Sequence, residues 1–455
     1  MLKKITFAVY LLLLVPAFVI AAEVPKELDA YIALPDDSYR WEIIDRPNER
    51  TFMVELTSQT WHGIPWKHYM LVAIPNVLSS PDHALLIIEG SAIGQKPADM
   101  HKMLVSMLAN GSGMCVALLL QVPNQPLLGN GNNEGYVEDA LIGESLLKAI
   151  ETKDATWSLL FPMAKSAVKA MDAVQALLKK EKEIGIDKFI IGGASKRGWT
   201  TWMTAATGDK RVAAIVPMVI DNLNTVKQME YQLETWGVYS ESIKDYTERN
   251  IIRLDNTPQS DFEKSLWTMI DPYAYLPRLT MPKLLIHGAN DPYWTVDAAR
   301  WYFDDLPGVK YILTVPNAGH DLGLASGEQA QVMRAAMRIA TSAAVFAKQA
   351  AQGGDWPTLE WKLTESDAGY KIDINTNLPL RVTEGRSSGV KLWTAQSETK
   401  DFRKATWTSV DQNGNLSISI PKPQSGHIAF FVEIESQNND DPPRPFSVTT
   451  RVWRF

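Results

Sequence analysis

The sequence predicts an α/β fold in which helices cover a mostly parallel sheet, with a long helical insertion and then a small β-sandwich. Three observations carry this expectation. Short apolar runs, of the kind that form strands buried on both faces, alternate with helical stretches through residues 84–349. Residues 222–280 interrupt that alternation for longer than a structureless loop would. From residue 358 onward, polar and apolar residues alternate in short runs separated by turn signals such as "QNGN".

The chain opens with Lys3 and Lys4, an apolar stretch over residues 5–20, and the small residues Ala21 and Ala22. That pattern predicts a signal peptide over 1–22, a mature chain starting near Glu23, and export to the periplasm or the medium. An uncleaved anchor is the alternative, but the apolar run is short for a span and contains Pro16. Residues 51–60 and 68–75 read as a strand hairpin. Further strands are expected at 84–90, 113–123, 187–193, 212–221, 283–290 and 310–319. A helix is expected over 166–185, ended by Gly185, with further helical stretches near 297–304 and 326–349. These make one domain over 23–350. Its insertion at 222–280, rich in Trp and Tyr, reads as a helical lid or cap. Gly353, Gly354 and Pro357 mark a linker, and 358–455 reads as the sandwich, with an accessory role that could include carbohydrate or protein contact.

The 455 residues, 45% of them hydrophobic, suffice for a large core and two domains. The formal charge of −7 and the lack of any long basic run argue against nucleic acid, and against a membrane as partner of the mature form. Fifteen tryptophans are either core residues or the lining of a pocket for an apolar or sugar-like ligand. Cys115 is the only cysteine, so no internal disulfide can form; its apolar surroundings predict a buried thiol.

The stretch "IIGGASKRGWTTW", residues 190–202, sets Ser195 between a strand and a helix, with Gly193 and Gly198 near it. Such a turn can be strained so that the hydroxyl projects above the sheet edge, and the helix behind it offers free N–H groups to an anion. The usual Gly-x-Ser-x-Gly spacing is missed by one residue, because Arg197 stands where the second glycine is expected. A serine nucleophile needs a base and an acid, in chain order Ser, acid, His, each just past a later strand. Asp291 in "LLIHGANDPYW" and His320 in "LTVPNAGHDLG" meet that order, and strand-end loops of a parallel sheet converge on one edge. Asp221 is the alternative acid. His287 reads as an interior histidine, and Asp297 and Asp321 as weaker acids. The backbone N–H of Lys196 is one expected oxyanion donor; Ser91, with Gly90 allowing close approach, is the other. Arg197, Trp199 and Trp294 are candidate substrate contacts. Lys196 and Arg197 at a helix start are electrostatically misplaced, which predicts a carboxylate partner, with the insertion as its candidate source. No metal or organic cofactor is expected, since no ligand cluster or phosphate-binding glycine loop is present.

The blocks "FPMAKSAVKAMDAVQ", "GGASKRGWTTWMTAA", "RVAAIVPMVIDNLN", "DPYAYLPRLTMPKLLI", "YFDDLPGVKY" and "VPNAGHDL" resemble the PhoPQ-activated pathogenicity-related protein family from about residue 25 to the C-terminus. The resemblance implies an α/β-hydrolase-like domain in an exported protein, a link to bacterial envelope regulation or virulence, and a relation to a secreted proliferation repressor of amoebae. It implies no substrate. Two functions follow as expectations: a serine hydrolase, esterase before peptidase, acting on a small-molecule or cell-envelope ester; or a secreted binding or signalling protein that keeps the fold without the chemistry.

Overall fold

The computed structural model describes residues 23–129, 134–253, 257–325, 328–383, 386–387, 389–437 and 444–455. The expected signal peptide lies outside the described residues. Helix α1 (Glu27–Ala33) precedes three antiparallel strands, β1 (Arg40–Asn48), β2 (Thr51–Trp61) and β3 (Ile64–Ala73). Then come β4 (His83–Ile88), α2 (Asp99–Ser112), β5 (Cys115–Leu119), α3 (Glu138–Thr152), α4 (Leu160–Lys182), β6 (Lys188–Ala194), α5 (Lys196–Ala206) and β7 (Val212–Met218). The insertion carries α6 (Thr225–Trp236), α7 (Lys244–Thr247) and α8 (Asp261–Ile270), and β8 (Lys283–Gly288), β9 (Lys310–Val315) and α9 (Gln329–Gln352) complete the body.

Strands β5, β4, β6, β7, β8 and β9 are parallel neighbours in that order, and β3 joins β5 antiparallel. Their side chains alternate between two apolar layers. Phe189, Ile191, Ile215 and Leu285 pack with α4 and α5 on one face; Ile190, Ala214, Leu284 and Ile286 pack with α9 on the other. Burial on both faces is why these strands read as continuous apolar runs rather than as alternating ones. Cys115 is fully buried, and burial pushes its thiol up to about 12.

The sandwich strands are β10 (Leu359–Ser366), β11 (Gly369–Thr376), β12 (Val382–Thr383), β13 (Arg386–Ser387), β14 (Val390–Ser397), β15 (Thr408–Asp411), β16 (Ser417–Pro421), β17 (His427–Gln437), β18 (Pro445–Thr449) and β19 (Trp453–Arg454). One sheet, β10-β11-β16, stands apart. The other, β18-β17-β14-β15, continues the central sheet through β18 against β9, where Thr449 faces Ile312. Pairing removes the exposed edge that β9 would otherwise present. Ile372 and Ile418 of the small sheet share one apolar cluster with Ile286 and Phe430, so the sandwich and the body have a common core.

Several elements differ from expectation. Strand β1 was not anticipated, because its "RWEIIDRPN" run is charged and contains Pro47, as suits a sheet edge. Helices α2 and α3 lie where no helix was expected. Helix α4 begins at Leu160, six residues before the predicted start, and the stretch near 297–304 holds only one 3-10 turn, Ala298–Trp301. The expected helix at 326–349 is α9; residues 326–327 fall outside the described ones.

Candidate active site

Strand β6 ends at Ala194 and α5 begins at Lys196, leaving Ser195 alone on the turn with φ 57° and ψ −124°. That backbone conformation is costly for any residue but glycine. It is held by Ser195 N–H donating to Met218 O (2.8 Å) and by tight packing around the two glycines. A Cβ at Gly193 would meet Arg197 O at 2.6 Å, and one at Gly198 would meet Ile220 Cγ2 at 2.6 Å and Met218 O at 2.8 Å. The displaced second glycine therefore has a physical reason: the position that must lie against β7 is the third of the helix, 198.

The loop after β9 brings His320 to this turn. Its Nε2 lies 2.7 Å from Ser195 Oγ, and its Nδ1 lies 2.8 Å from Asp291 Oδ2 in the loop after β8. Asp291 is buried, and its other oxygen accepts from Tyr293 N–H (2.9 Å). The Tyr293 ring packs on the imidazole at 4.3 Å between centroids, and its hydroxyl donates to Asp139 (2.9 Å). Ser195, His320 and Asp291 thus form one hydrogen-bonded chain assembled from three strand ends.

Asp221, the alternative acid, stands outside this chain. It is buried, accepts a short hydrogen bond from Tyr302 OH, and lies 3.2 Å from His287 Nδ1. Burial pushes its carboxyl up, with Asp291 and Asp297 adding to the effect and His287 and Tyr302 opposing it. Asp221, His287 and Asp291 border an internal cavity of about 20 Å³ behind Asp291, enough for one water. His287 is an interior histidine. Asp297 binds Tyr231 (2.6 Å), and Asp321 accepts from Gly323 N–H and Ala325 N–H in its own turn.

The register of β4 against β6 sets Ile88 beside Gly193, so Glu89, Gly90 and Ser91 run next to the Ser195 turn. Glu89 N–H is committed to Leu119 O (2.8 Å), whereas the amides of Gly90 and Ser91 donate to nothing among the described residues. The first-turn amides of α5 have no partners within the helix.

The predicted substrate contacts require correction. Arg197 is buried and fully engaged: Nε donates to Val122 O (2.6 Å), and Nη1 and Nη2 donate to the two oxygens of Glu138 (2.7 and 2.8 Å). Its guanidinium fills the space beside Gly90, where a Cβ would come within 1.6 Å of Nη2. Trp199 is buried and donates from Nε1 to Ile270 O (2.7 Å), anchoring the insertion to α5. Trp294 is buried against the small cavity behind Asp291. None of the three side chains is open to a ligand, because each is used up in packing.

The carboxylates that answer Lys196 and Arg197 come from the start of α3 and not from the insertion. Lys196 Nζ lies 3.0 Å from Asp139 and 3.3 Å from Glu138. Asp139 also accepts from Tyr246 OH (3.0 Å) of α7, so one carboxylate joins α5, the insertion and the loop of Tyr293. Sequence reasoning anticipated a carboxylate but could not place it. Burial opposes ionisation of Glu138, yet Arg197, Gln125 and Lys196 hold it down from the ordinary 4.5 to about 2. A depressed folded-state value means stability that is complete above about pH 4.5 and lost as pH falls toward 2. Glu138→Gln is accordingly expected to unfold at lower temperature than wild type at neutral pH, with the difference shrinking through that window. Melting curves of both proteins across the acid range check this.

The insertion is tied to the loop of Asp291 by Gln232 Nε2 donating to Tyr293 O (2.9 Å) and Ser240 Oγ to Pro292 O (2.6 Å). The sandwich braces the same loops from the other side. Asn290 donates to Ala405 O (2.8 Å), and Asn317 and Trp407 exchange two hydrogen bonds (2.8 and 2.9 Å). Among the described residues no group of three or more His, Cys, Asp or Glu could hold a metal, and no helix is long and apolar enough to cross a membrane.

The model of the PhoPQ-activated pathogenicity-related protein matches residues 28–403. The chain belongs to this family. The PhoPQ-related chain is 31% identical over 480 residues to the Autocrine proliferation repressor protein A of Dictyostelium discoideum, covering 97% of this chain and 93% of that one. Among solved structures it is similar to an acetyl xylan esterase from Paenibacillus sp. R4, at 13% identity and TM-score 0.48 over 69% of this chain and 92% of the other. It is also similar to a glucuronoyl esterase from Solibacter usitatus, at 15% identity and TM-score 0.42 over 72% and 92%.

Proposed function

We propose that this PhoPQ-related protein is an exported serine hydrolase that cleaves esters in preference to amides. The observation that carries the reading is the unbroken chain from Ser195 Oγ through His320 to Asp291. His320 takes the proton of Ser195 as the hydroxyl attacks an acyl carbon, and returns it to the leaving oxygen. Asp291 holds Nδ1–H and so fixes the tautomer that leaves Nε2 free to accept. Negative charge on the tetrahedral intermediate falls between the Lys196 amide and the amide of Gly90 or Ser91. Glu138 and Asp139 neutralise Arg197 and Lys196, which suits an uncharged acyl group over an anionic one.

A fluorophosphonate probe tests the reading. Wild type is expected to label and Ser195→Ala to resist labelling while folded; an unlabelled folded wild type would overturn it. Aryl esters, amides and sugar esters offered to the same pair then rank the acyl classes.

Gly90→Ala carries a second expectation. The new methyl collides with a guanidinium pinned on three sides, so the oxyanion loop must shift. Loss of one donor corresponds to about a hundredfold fall in kcat. Steady-state kinetics, with KM nearly unchanged, check it.

A further inference from the structure

A cleft of about 580 Å³ lies between the sandwich and the body, away from Ser195, within the usual size for a small-ligand site. Its walls come from the turn and loop that follow Asp291, from β10, and from the C-terminal strand. Four cations, Arg300, Lys362, Arg451 and Arg454, face two carboxylates, Asp297 and Asp304, an excess of positive charge on a chain whose net charge is −7. The pairing is uneven. Asp297 is spent on Arg300 and Arg454, each 3.3 Å away. Arg451 lies over Trp453 at 5.3 Å, and its buried Nε makes no hydrogen bond; Asp304 is the nearest carboxylate at 3.8 Å. Burial makes that guanidinium's charge harder to hold, Asp304 opposes this, and Arg300 adds to it. Asp304 itself is 64% exposed at the cleft wall. Half-buried Trp361 stands perpendicular to Trp453 at 6.2 Å, giving the cleft an aromatic side.

We propose that this cleft binds an acidic saccharide, a sugar ring carrying a carboxylate as in a uronic acid. The carboxylate answers Arg451 and Lys362, since the cleft lining holds four cations to two carboxylates. The ring hydroxyls donate to Asp304, an acceptor that would repel a bare anion. The apolar face of the ring covers Trp361. A phosphate or sulfate ion satisfies the first of these three features and conflicts with the second. The site does not depend on Ser195, so the inference stands or falls apart from the proposed hydrolase activity.

The test is a calorimetric titration of the full-length Ser195→Ala protein with trigalacturonic acid, galactotriose and sodium sulfate. Trigalacturonic acid is expected to bind saturably, with galactotriose about tenfold or more weaker. Arg451→Gln and the exposed Lys362→Gln are each expected to weaken it by about tenfold. Asp304→Asn is expected to weaken it as well, although it removes a negative charge. Absence of saturable binding, equal affinity for galactotriose, sulfate as strong a ligand as the trisaccharide, or tighter binding by Asp304→Asn would each overturn the proposal. Lys362→Gln keeps the test decisive if Arg451→Gln fails to fold.

Discussion

Ser195→Ala is expected to lower kcat/KM for ester hydrolysis by about ten-thousandfold to a millionfold, because the attacking oxygen is lost while binding and the oxyanion donors remain. The backbone at this position supplies an independent readout. Ser195 sits at φ 57° and ψ −124°, a conformation that alanine tolerates no better than serine and glycine tolerates well. Ser195→Gly is therefore expected to be as inactive as Ser195→Ala yet more resistant to denaturant, by about 1 kcal/mol. Equal stability of the two variants would mean that the turn stores no strain. Loss of activity paired with a gain in stability is the signature of a residue kept for chemistry at a cost to the fold.

Asp291→Asn is expected to lower kcat by about a thousandfold to ten-thousandfold, since the amide can present N–H to Nδ1 and hold the wrong tautomer. Asp221→Asn is expected to change kcat by less than about tenfold, with its main effect on stability. The contrast follows from partners. Asp291 gives one oxygen to His320 and the other to the amide of Tyr293, whereas Asp221 is held by Tyr302 and His287. Rates and melting curves for the two variants separate the roles. A large rate loss in Asp221→Asn with Asp291→Asn near wild type would reverse the assignment.

Both acids follow strands of the same parallel sheet, and for that reason the sequence named Asp291 first but kept Asp221 as the alternative. Position along the chain places each carboxylate at the correct edge, but which one meets the imidazole depends on side chains brought in from elsewhere. Tyr302, 81 residues after Asp221, captures that carboxylate. The partners of Lys196 and Arg197 were obscure for a similar reason. The electrostatic misfit of two cations at a helix start was readable, but Asp139 and Glu138 precede them by 57 and 59 residues, beyond any local pattern. Trp199 and Trp294 were misread as ligand contacts because proximity to a reactive residue in the chain does not tell which way an indole points. Ser91 and Gly90 were placed beside Ser195 by strand order alone, and the register of β4 on β6 puts them there.

The alternation of apolar runs and helices sufficed for the α/β class. The order serine, aspartate, histidine, each just past a later strand, sufficed to put Ser195, Asp291 and His320 first, because a parallel sheet gathers all its strand ends at one edge. Tertiary structure alone decided that the sandwich continues the central sheet through Thr449 and Ile312, and that its loops brace Asn290 and Asn317 beside the site. Strand edges and buried charges choose partners by shape and distance in three dimensions, and linear order does not encode those quantities.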